Sequence, residues 1–263
     1  MSDYWSPQGR HPSSAVLHRP APTGAVSYPG GPFLRSQLRQ GSSLVPAPHA
    51  LHLQSTLDTL TSLWAQDQIT VEKSPNYFVD PVVPERVYKL NTSMKLLLIL
   101  RDPVRRTISD YLQIMDNRIK RRKVVIPFET LVLNQETLEI NQSYSAVKRS
   151  VYVRHLARWM QFFPLQQIHI VDGENLVLQP WQEMAKVEDF LGLEHQITED
   201  KFTYKPEHGF YCYTLGEREQ CLAESKGRKH PVIDSFVLKK LKDFFRNFNE
   251  KLFMRIGRRF DWN

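Results

Sequence analysis

The chain has 263 residues, 41% of them hydrophobic and 24% charged, enough to bury a substantial core in one large domain or two small ones. Its longest apolar run, Met94 to Leu100 with Lys95 inside it, is too short to cross a bilayer. Residues 1–30 lack the basic, apolar and small-residue succession of a signal peptide.

A net charge of +7 points to an anionic partner. The segment from Lys226 to Asp261 holds eleven bases and four acids, so it carries the whole excess. A second cluster, Arg118-Ile-Lys-Arg-Arg-Lys123, is balanced by acids elsewhere. The plainer reading of these clusters is a solvated helix face and a loop.

Residues 1–50 contain eight Pro, eight Ser and five Gly without helical or strand periodicity. Such a composition buries too little apolar surface to offset its ordering entropy, so residues 1–52 are expected to be a disordered tail. A globular domain is expected over 53–263. Leu53 to Trp64 has the spacing of a short amphipathic helix. Val83 to Leu90 predicts a helix with Pro84 in its first turn. Lys95 to Leu100 is a continuous apolar strand, as in a sheet covered on both faces. A helix follows at once, with Asp102 as cap, Pro103 in first position, and apolar residues at Ile108, Leu112 and Met115. Ala146 to Phe163 predicts one long helix stopped by Pro164, and Gln167 to Val171 a second buried strand. Pro180 to Leu191 predicts a helix with Gly192 as its C-cap, and Asp234 to Ile256 the last helix. Strands alternating with helices argue for an α/β fold with a parallel sheet.

Three stretches carry chemistry. The buried strand ends in Arg101, which places a guanidinium at the carboxyl edge of the sheet, where α/β proteins bind ligands. Ser109, two turns into the next helix, can offer its hydroxyl to the same anion. The competing reading pairs Arg101 with Asp102 or Asp110 and leaves Ser109 facing solvent. The second stretch, Lys226-Gly227-Arg228-Lys229-His230, is a compact basic loop whose glycine permits close backbone approach to a phosphate. The third holds the only cysteines, Cys212 and Cys221. They are either ordinary buried thiols or the closure of a small hairpin around Gly216. The latter would contribute about 2–4 kcal/mol and require an oxidising compartment. No ligand spacing among the cysteines and nine histidines indicates a metal. Asn91-Thr-Ser93 and Asn141-Gln-Ser143 fit the N-glycosylation pattern.

In order, Val71-Glu-Lys-Ser-Pro-Asn-Tyr77, Val83-Pro-Glu-Arg86, Leu98-Ile-Leu-Arg-Asp-Pro103 and Ser109-Asp-Tyr-Leu-Gln113 resemble the heparan sulfate glucosamine 3-O-sulfotransferases. The resemblance continues through Phe162-Phe-Pro-Leu165, His169-Ile-Val-Asp-Gly173, Gly209-Phe-Tyr-Cys212, Cys221, Glu224-Ser-Lys-Gly-Arg228, His230-Pro231, and Gly257-Arg to Phe260-Asp-Trp262. It covers residues 69–263, and many motifs at matching spacing make it specific.

The resemblance implies a PAPS-binding α/β fold related to nucleotide kinases. It also implies a Golgi-lumenal enzyme that moves a sulfuryl group from 3′-phosphoadenosine 5′-phosphosulfate (PAPS) to the 3-hydroxyl of a glucosamine in heparan sulfate. By the same resemblance Arg101 and Ser109 hold the donor's 3′-phosphate. Tyr211 and the loop Lys226, Gly227, Arg228, Lys229 and His230 also serve the donor, Lys73 and Gln113 face the sugar chain, and Cys212 and Cys221 form a disulfide.

One departure stands out. The family's first strand leads into a phosphosulfate loop of the type Lys-Gly-Gly-Thr-Arg, and this chain has no Lys before Lys73. The family's catalytic Glu lies in an acidic, aromatic segment before the Val-Glu-Lys motif. Here the preceding acids are only Asp3, Asp58, Asp67 and Glu72, the last inside the motif itself and not the family's base. The first strand and loop are therefore expected to be missing from the fold. An alternatively spliced N-terminus, or an incorrect gene model, is the expected origin. Cations around the transferring group contribute several kcal/mol, and a base contributes 10²–10⁴-fold, so low turnover is expected. The alternative is a non-catalytic binder of heparan sulfate or PAP through the C-terminal basic segment. No nucleic-acid module or Walker-type loop supports a nucleic-acid binder or a kinase.

Overall fold

A computed structural model of the chain describes residues 13–18, 69–74, 76–207, 209–222 and 231–262. The predicted helix over Leu53 to Trp64 lies outside the described residues.

The central sheet is built from β1 (Ser13–His18), β2 (Thr70–Ser74), β3 (Lys95–Leu100) and β4 (Ile168–Asp172), in the order β2-β1-β3-β4. β3 and β4 pair in parallel, Leu96 opposite Ile168 through Leu100 opposite Asp172. β1 runs antiparallel to both neighbours, with Val16 opposite Glu72 on one side and Leu96 on the other. β2, β3 and β4 therefore share one direction, and their carboxyl ends form one edge.

β1 departs from the expectation that residues 1–52 lack structure. Its Ala-Val-Leu centre is short, and six residues in a Pro/Ser/Gly background give no readable period. Its backbone bonds to the inner edges of β2 and β3, which would otherwise face each other across an unpaired gap.

The continuous apolar run of β3 is explained by burial on both faces. Leu96, Leu98 and Leu100 point into the main core, whereas Leu97 and Ile99 pack with Val171, Val187 and Leu191 on the opposite side. The main core is closed by α1 (Val83–Leu90), α2 (Pro103–Lys120), α5 (Tyr152–Trp159) and α8 (Ser235–Ile256). The short α3 (Phe128–Val132) and α4 (Ser145–Ser150) lie between α2 and α5 in sequence. α6 (Asn175–Leu178) and α7 (Pro180–Leu191) follow β4, and α7 covers the second face. Trp159, 2% exposed, donates its indole N–H to the Phe78 carbonyl at 3.1 Å, tying the turn after β2 to α5.

α2 begins as its sequence predicts. Asp102 accepts from the backbone N–H groups of Val104 and Arg105, and Pro103 takes the first position, where no N–H is needed. α7 ends at Gly192, whose φ of 73° a side chain would disfavour. The long helix predicted over Ala146 to Phe163 is two helices. Ser150 turns its hydroxyl back to the Ala146 carbonyl at 2.8 Å, and Val151 leaves helical geometry with ψ 69°. That local bond competes with continuation of the helix, and hydrophobic spacing does not register it.

A second sheet combines β5 (Phe202–Lys205), β6 (Phe210–Leu215) and β7 (Arg218–Gln220), all antiparallel. Gly216 sits at φ 60° in the β6–β7 turn, and Cys212 and Cys221 form a disulfide across this hairpin. The hairpin alternative is thus the one the structure adopts.

Candidate functional site: an anion cradle at the carboxyl edge of the sheet

β3 and β4 end side by side, and the residues just beyond each strand build the site. The Arg101 guanidinium, leaving β3, meets Glu174 just after β4 in a two-point contact: Nε to Oε1 at 3.2 Å and Nη2 to Oε2 at 2.9 Å. Arg105, one turn into α2, adds its Nη1 to Oε2 at 3.4 Å. Burial pushes the Glu174 carboxyl up, but the two guanidiniums outweigh it and hold the group below the usual carboxylate range. Two guanidiniums thus converge on one carboxylate at this edge. Arg101 therefore has a carboxylate partner, but it is neither of the neighbours expected from the sequence.

The edge is held from beneath. Tyr152, at the start of α5, donates its hydroxyl to the Arg101 carbonyl at 2.9 Å. The Gly173 N–H donates to the Leu100 carbonyl at 2.7 Å. A Cβ on Gly173 would come within 2.4 Å of Arg101 Cγ and 2.8 Å of the Leu100 carbonyl, so only glycine lets the Arg101 stem lie across this turn. Asp172 caps the turn by accepting from the N–H groups of Glu174 and Asn175. Arg258, past the end of α8, reaches Asp172 at 3.5 Å and donates to the Ile170 carbonyl at 3.1 Å. Glu183 accepts from Asp172 N–H and Asn175. Glu174 and Tyr152 escaped the sequence reading, and Asp172 and Arg258 entered it only within motifs, without a role. The Asp-Gly-Glu run directly after the second strand was the available signal.

Ser109 is buried, 3% exposed, rather than facing solvent. Among the described residues its Oγ has no hydrogen-bond partner. Beneath it in sequence, Arg106 and Thr107 are both buried and engaged with Ser150: Arg106 Nη1 at 3.0 Å, Thr107 Oγ1 at 2.9 Å. Ser109 is thus a buried hydroxyl next to a polar layer joined through Ser150. An unpaired buried hydroxyl costs about 1–3 kcal/mol, a cost that an accepting anion would remove.

Gln113 follows Ser109 by four residues and lies half-buried on the same side of α2. Lys73 is exposed on β2, opposite Ala15. Glu72, its neighbour, accepts from Ser74 Oγ at 2.7 Å. Burial and the adjacent Glu72 carboxylate push the Tyr77 hydroxyl up to about 12. Glu72 is thus engaged with neighbouring hydroxyls. Tyr211, on β6, meets Trp181 of α7 and Tyr204 of β5 edge-on, each at 5.3 Å. The disulfide fixes β6 to Cys221, five residues before Lys226. Lys226, Gly227, Arg228, Lys229 and His230 lie outside the described residues. Among the described residues no three His, Cys, Asp or Glu gather as a metal site, and no helix is long and apolar enough to cross a membrane.

Comparison with known proteins adds three findings. Residues 57–255 match the family model described as a sulfotransferase domain. Heparan sulfate glucosamine 3-O-sulfotransferase 5 of Mus musculus is 44% identical over 196 residues, 74% of this chain and 57% of that protein. Heparan sulfate glucosamine 3-O-sulfotransferase 3B1 of Homo sapiens is 39% identical over 200 residues, 74% of this chain and 50% of that protein. The chain thus spans between half and three-fifths of the length of these relatives. A crystal structure of a sulfotransferase from Alicyclobacillus acidocaldarius superposes with a TM-score of 0.50 at 16% identity, covering 70% of this chain and 63% of that one, a likeness of fold alone.

Proposed function

Because the chain belongs to the sulfotransferase-domain family, we propose that it binds the 3′-phosphate of PAPS or PAP at the edge formed by Arg101 and Ser109. We propose further that it presents a glucosamine of heparan sulfate, beside Gln113 and Lys73, for transfer to its 3-hydroxyl. The observation that carries the donor half is the buried Ser109 hydroxyl without a partner among the described residues, on the helix that continues directly from Arg101. The names of the relatives support the acceptor half. Tyr211 and the Lys226–His230 loop complete the donor set in this reading. A Golgi-lumenal setting accords with the disulfide, which persists where thiols are oxidised.

Arg101 supplies a planar fork that matches two phosphate oxygens, and Ser109 a hydroxyl donor. A phosphate entering the edge competes with Glu174 for Arg101, and Arg105 remains to neutralise the displaced carboxylate. Turnover is low in this reading, since the chain has no Lys-Gly-Gly-Thr-Arg loop and no family Glu before Lys73.

Titration with PAP tests the donor half. Arg101→Ala should weaken PAP binding by about 10–100-fold and Ser109→Ala by roughly tenfold, the latter with Tm unchanged or raised because it removes an unpaired buried hydroxyl. If Arg101 were only the partner of Glu174, neither substitution would alter PAP binding. Labelled PAPS and heparan sulfate test turnover: incorporation well above a Lys226→Ala/Arg228→Ala control would overturn the low-turnover reading.

The alternative reading rests on the C-terminal basic segment, some of whose cations are paired. Lys240 meets Glu139, Arg246 meets Asp243, and Arg259 makes a two-point contact with Glu250. Asp243 and Glu250 belong to the segment and are already counted in its net +7. Among the described residues, only Lys240–Glu139 and Arg258–Asp172 therefore set its cations against acids from outside it.

A further inference from the structure

The other basic cluster, at the end of α2, is arranged differently. Lys120 pairs with Asp116 at 2.9 Å, and Arg118 Nε donates to the Val124 carbonyl at 2.7 Å. Arg121, Arg122 and Lys123 are exposed, and among the described residues they form no ion pair. No acid lies between Asn117 and Phe128 to neutralise them locally.

The backbone there closes α2 with a two-bond cap: Lys123 N–H to the Arg118 carbonyl and Arg122 N–H to the Ile119 carbonyl, both at 2.9 Å. The residue at the left-handed position of this cap is normally glycine, yet here it is Arg122, with φ 53°. A Cβ is disfavoured in that conformation. Favourable interaction with the helix dipole accounts for Arg118 and Lys120 in the last turn. It gives no reason for an arginine at the one position where the backbone prefers glycine.

The cluster also has a direction. At 3.6 residues per turn, Ser109, Gln113, Asp116 and Lys120 fall on one stripe of α2. The stripe leads from the buried donor hydroxyl, past Gln113, to the basic turn, which begins about 10 Å beyond Gln113 along the helix. A polyanion seated at Gln113 and running along α2 would meet Arg121, Arg122 and Lys123 next.

We propose that Arg121, Arg122 and Lys123 form an anchoring subsite for the distal sulfates and carboxylates of the acceptor polysaccharide, making the protein select longer chains. The inference rests on the acceptor reading above and adds a chain-length preference to it. These three cations hold substrate and take no part in the transfer.

The test measures binding of size-fractionated heparin hexasaccharide and dodecasaccharide to the full chain over a range of salt. The wild type should bind the dodecasaccharide more tightly. Arg121→Ala/Arg122→Gly/Lys123→Ala should lose about tenfold on the dodecasaccharide, little on the hexasaccharide, and show a salt slope shallower by about 2. Arg122→Gly alone should weaken dodecasaccharide binding while leaving Tm unchanged or raised, two effects that a purely structural cap would not combine. Unchanged dodecasaccharide affinity in the triple variant overturns the subsite. So does an equal loss on both lengths, or an equal loss in Lys239→Ala/Lys242→Ala on α8, which would mark a diffuse charge effect. A wild type that binds neither length overturns the acceptor reading itself, and this inference with it.

Discussion

Asp110→Ala is expected to destabilise the protein by about 3–5 kcal/mol, because it strands a buried guanidinium. Arg106 is 3% exposed and Asp110 fully buried, with Arg106 Nη2 at 3.2 Å from Asp110 Oδ2. Burial pushes the Arg106 guanidinium down, and the Asp110 carboxylate is the leading force opposing it. Arg106 also donates from Nη1 to the Ala146 carbonyl at 2.9 Å and to Ser150 at 3.0 Å, so the pair joins α2 to α4. Arg149 approaches the same Asp110 oxygen at 3.4 Å. The lost carboxylate would leave the Arg106 and Arg149 cations without the group that both approach. A fall in Tm on the order of 10 °C is the expected reading in thermal unfolding. Arg106→Met/Asp110→Leu should recover most of it, since replacing both charges removes the desolvation cost together with the attraction. A loss under about 1 kcal/mol in the single variant would mean that water reaches this pair. Asp110 adjoins Ser109 on α2, so PAP binding should fall alongside stability in Asp110→Ala and return in the double variant.

The parts of this architecture that were readable in advance are those where a local rule and the tertiary demand coincide. β3 announces itself because a strand covered on both faces needs apolar residues at every position. α2 does so because Asp102 and Pro103 satisfy the first N–H groups of a helix. Arg101 was readable for the same reason: a strand end fixes its position at the sheet edge. What eluded the sequence were relationships between distant residues. Glu174 reaches Arg101 across 73 positions, and Arg258 reaches Ile170 of β4 across 88. Neither has a periodicity of its own. The break at Val151 depends on one serine hydroxyl turning back on its helix, and β1 on the demand of two neighbouring strands for a partner. Ser109 was singled out as a polar group of interest. Its burial, which makes the hydroxyl informative, could only come from the packing of α2 against the core.

His155 should make the protein lose stability as pH falls from about 6.5 to about 4, by up to roughly 3 kcal/mol. The ring is 4% exposed on α5, and its two nitrogens have fixed roles. Nε2 lies 3.0 Å from the Lys148 carbonyl, which can only accept, so Nε2 carries the hydrogen. Nδ1 lies 2.6 Å from Arg158 Nη2, which can only donate, so Nδ1 must be bare. Protonating Nδ1 would set two donors against each other. Burial, followed by the nearby charges of Arg158, Arg106 and Lys148, outweighs the help from the Lys148 carbonyl and pushes the imidazole down from 6.5 to about 4. In the unfolded chain the ring takes up its proton near 6.5, whereas the folded protein resists until about 4. The unfolded state therefore gains protons first, and stability drains across that window as pH falls. Glu174 behaves oppositely in position: its carboxyl is held below the usual range, so its contribution persists through the window and is lost only as pH falls through that lowered value. Urea unfolding of the wild type and His155→Gln at pH 7.0, 5.5 and 4.5 separates the two groups. The variant should start less stable at pH 7.0, having lost the paired ring, and then decline more slowly than the wild type as pH is lowered. Parallel decline of the two proteins would show that His155 is protonated in the folded state and that Arg158 has moved away from it.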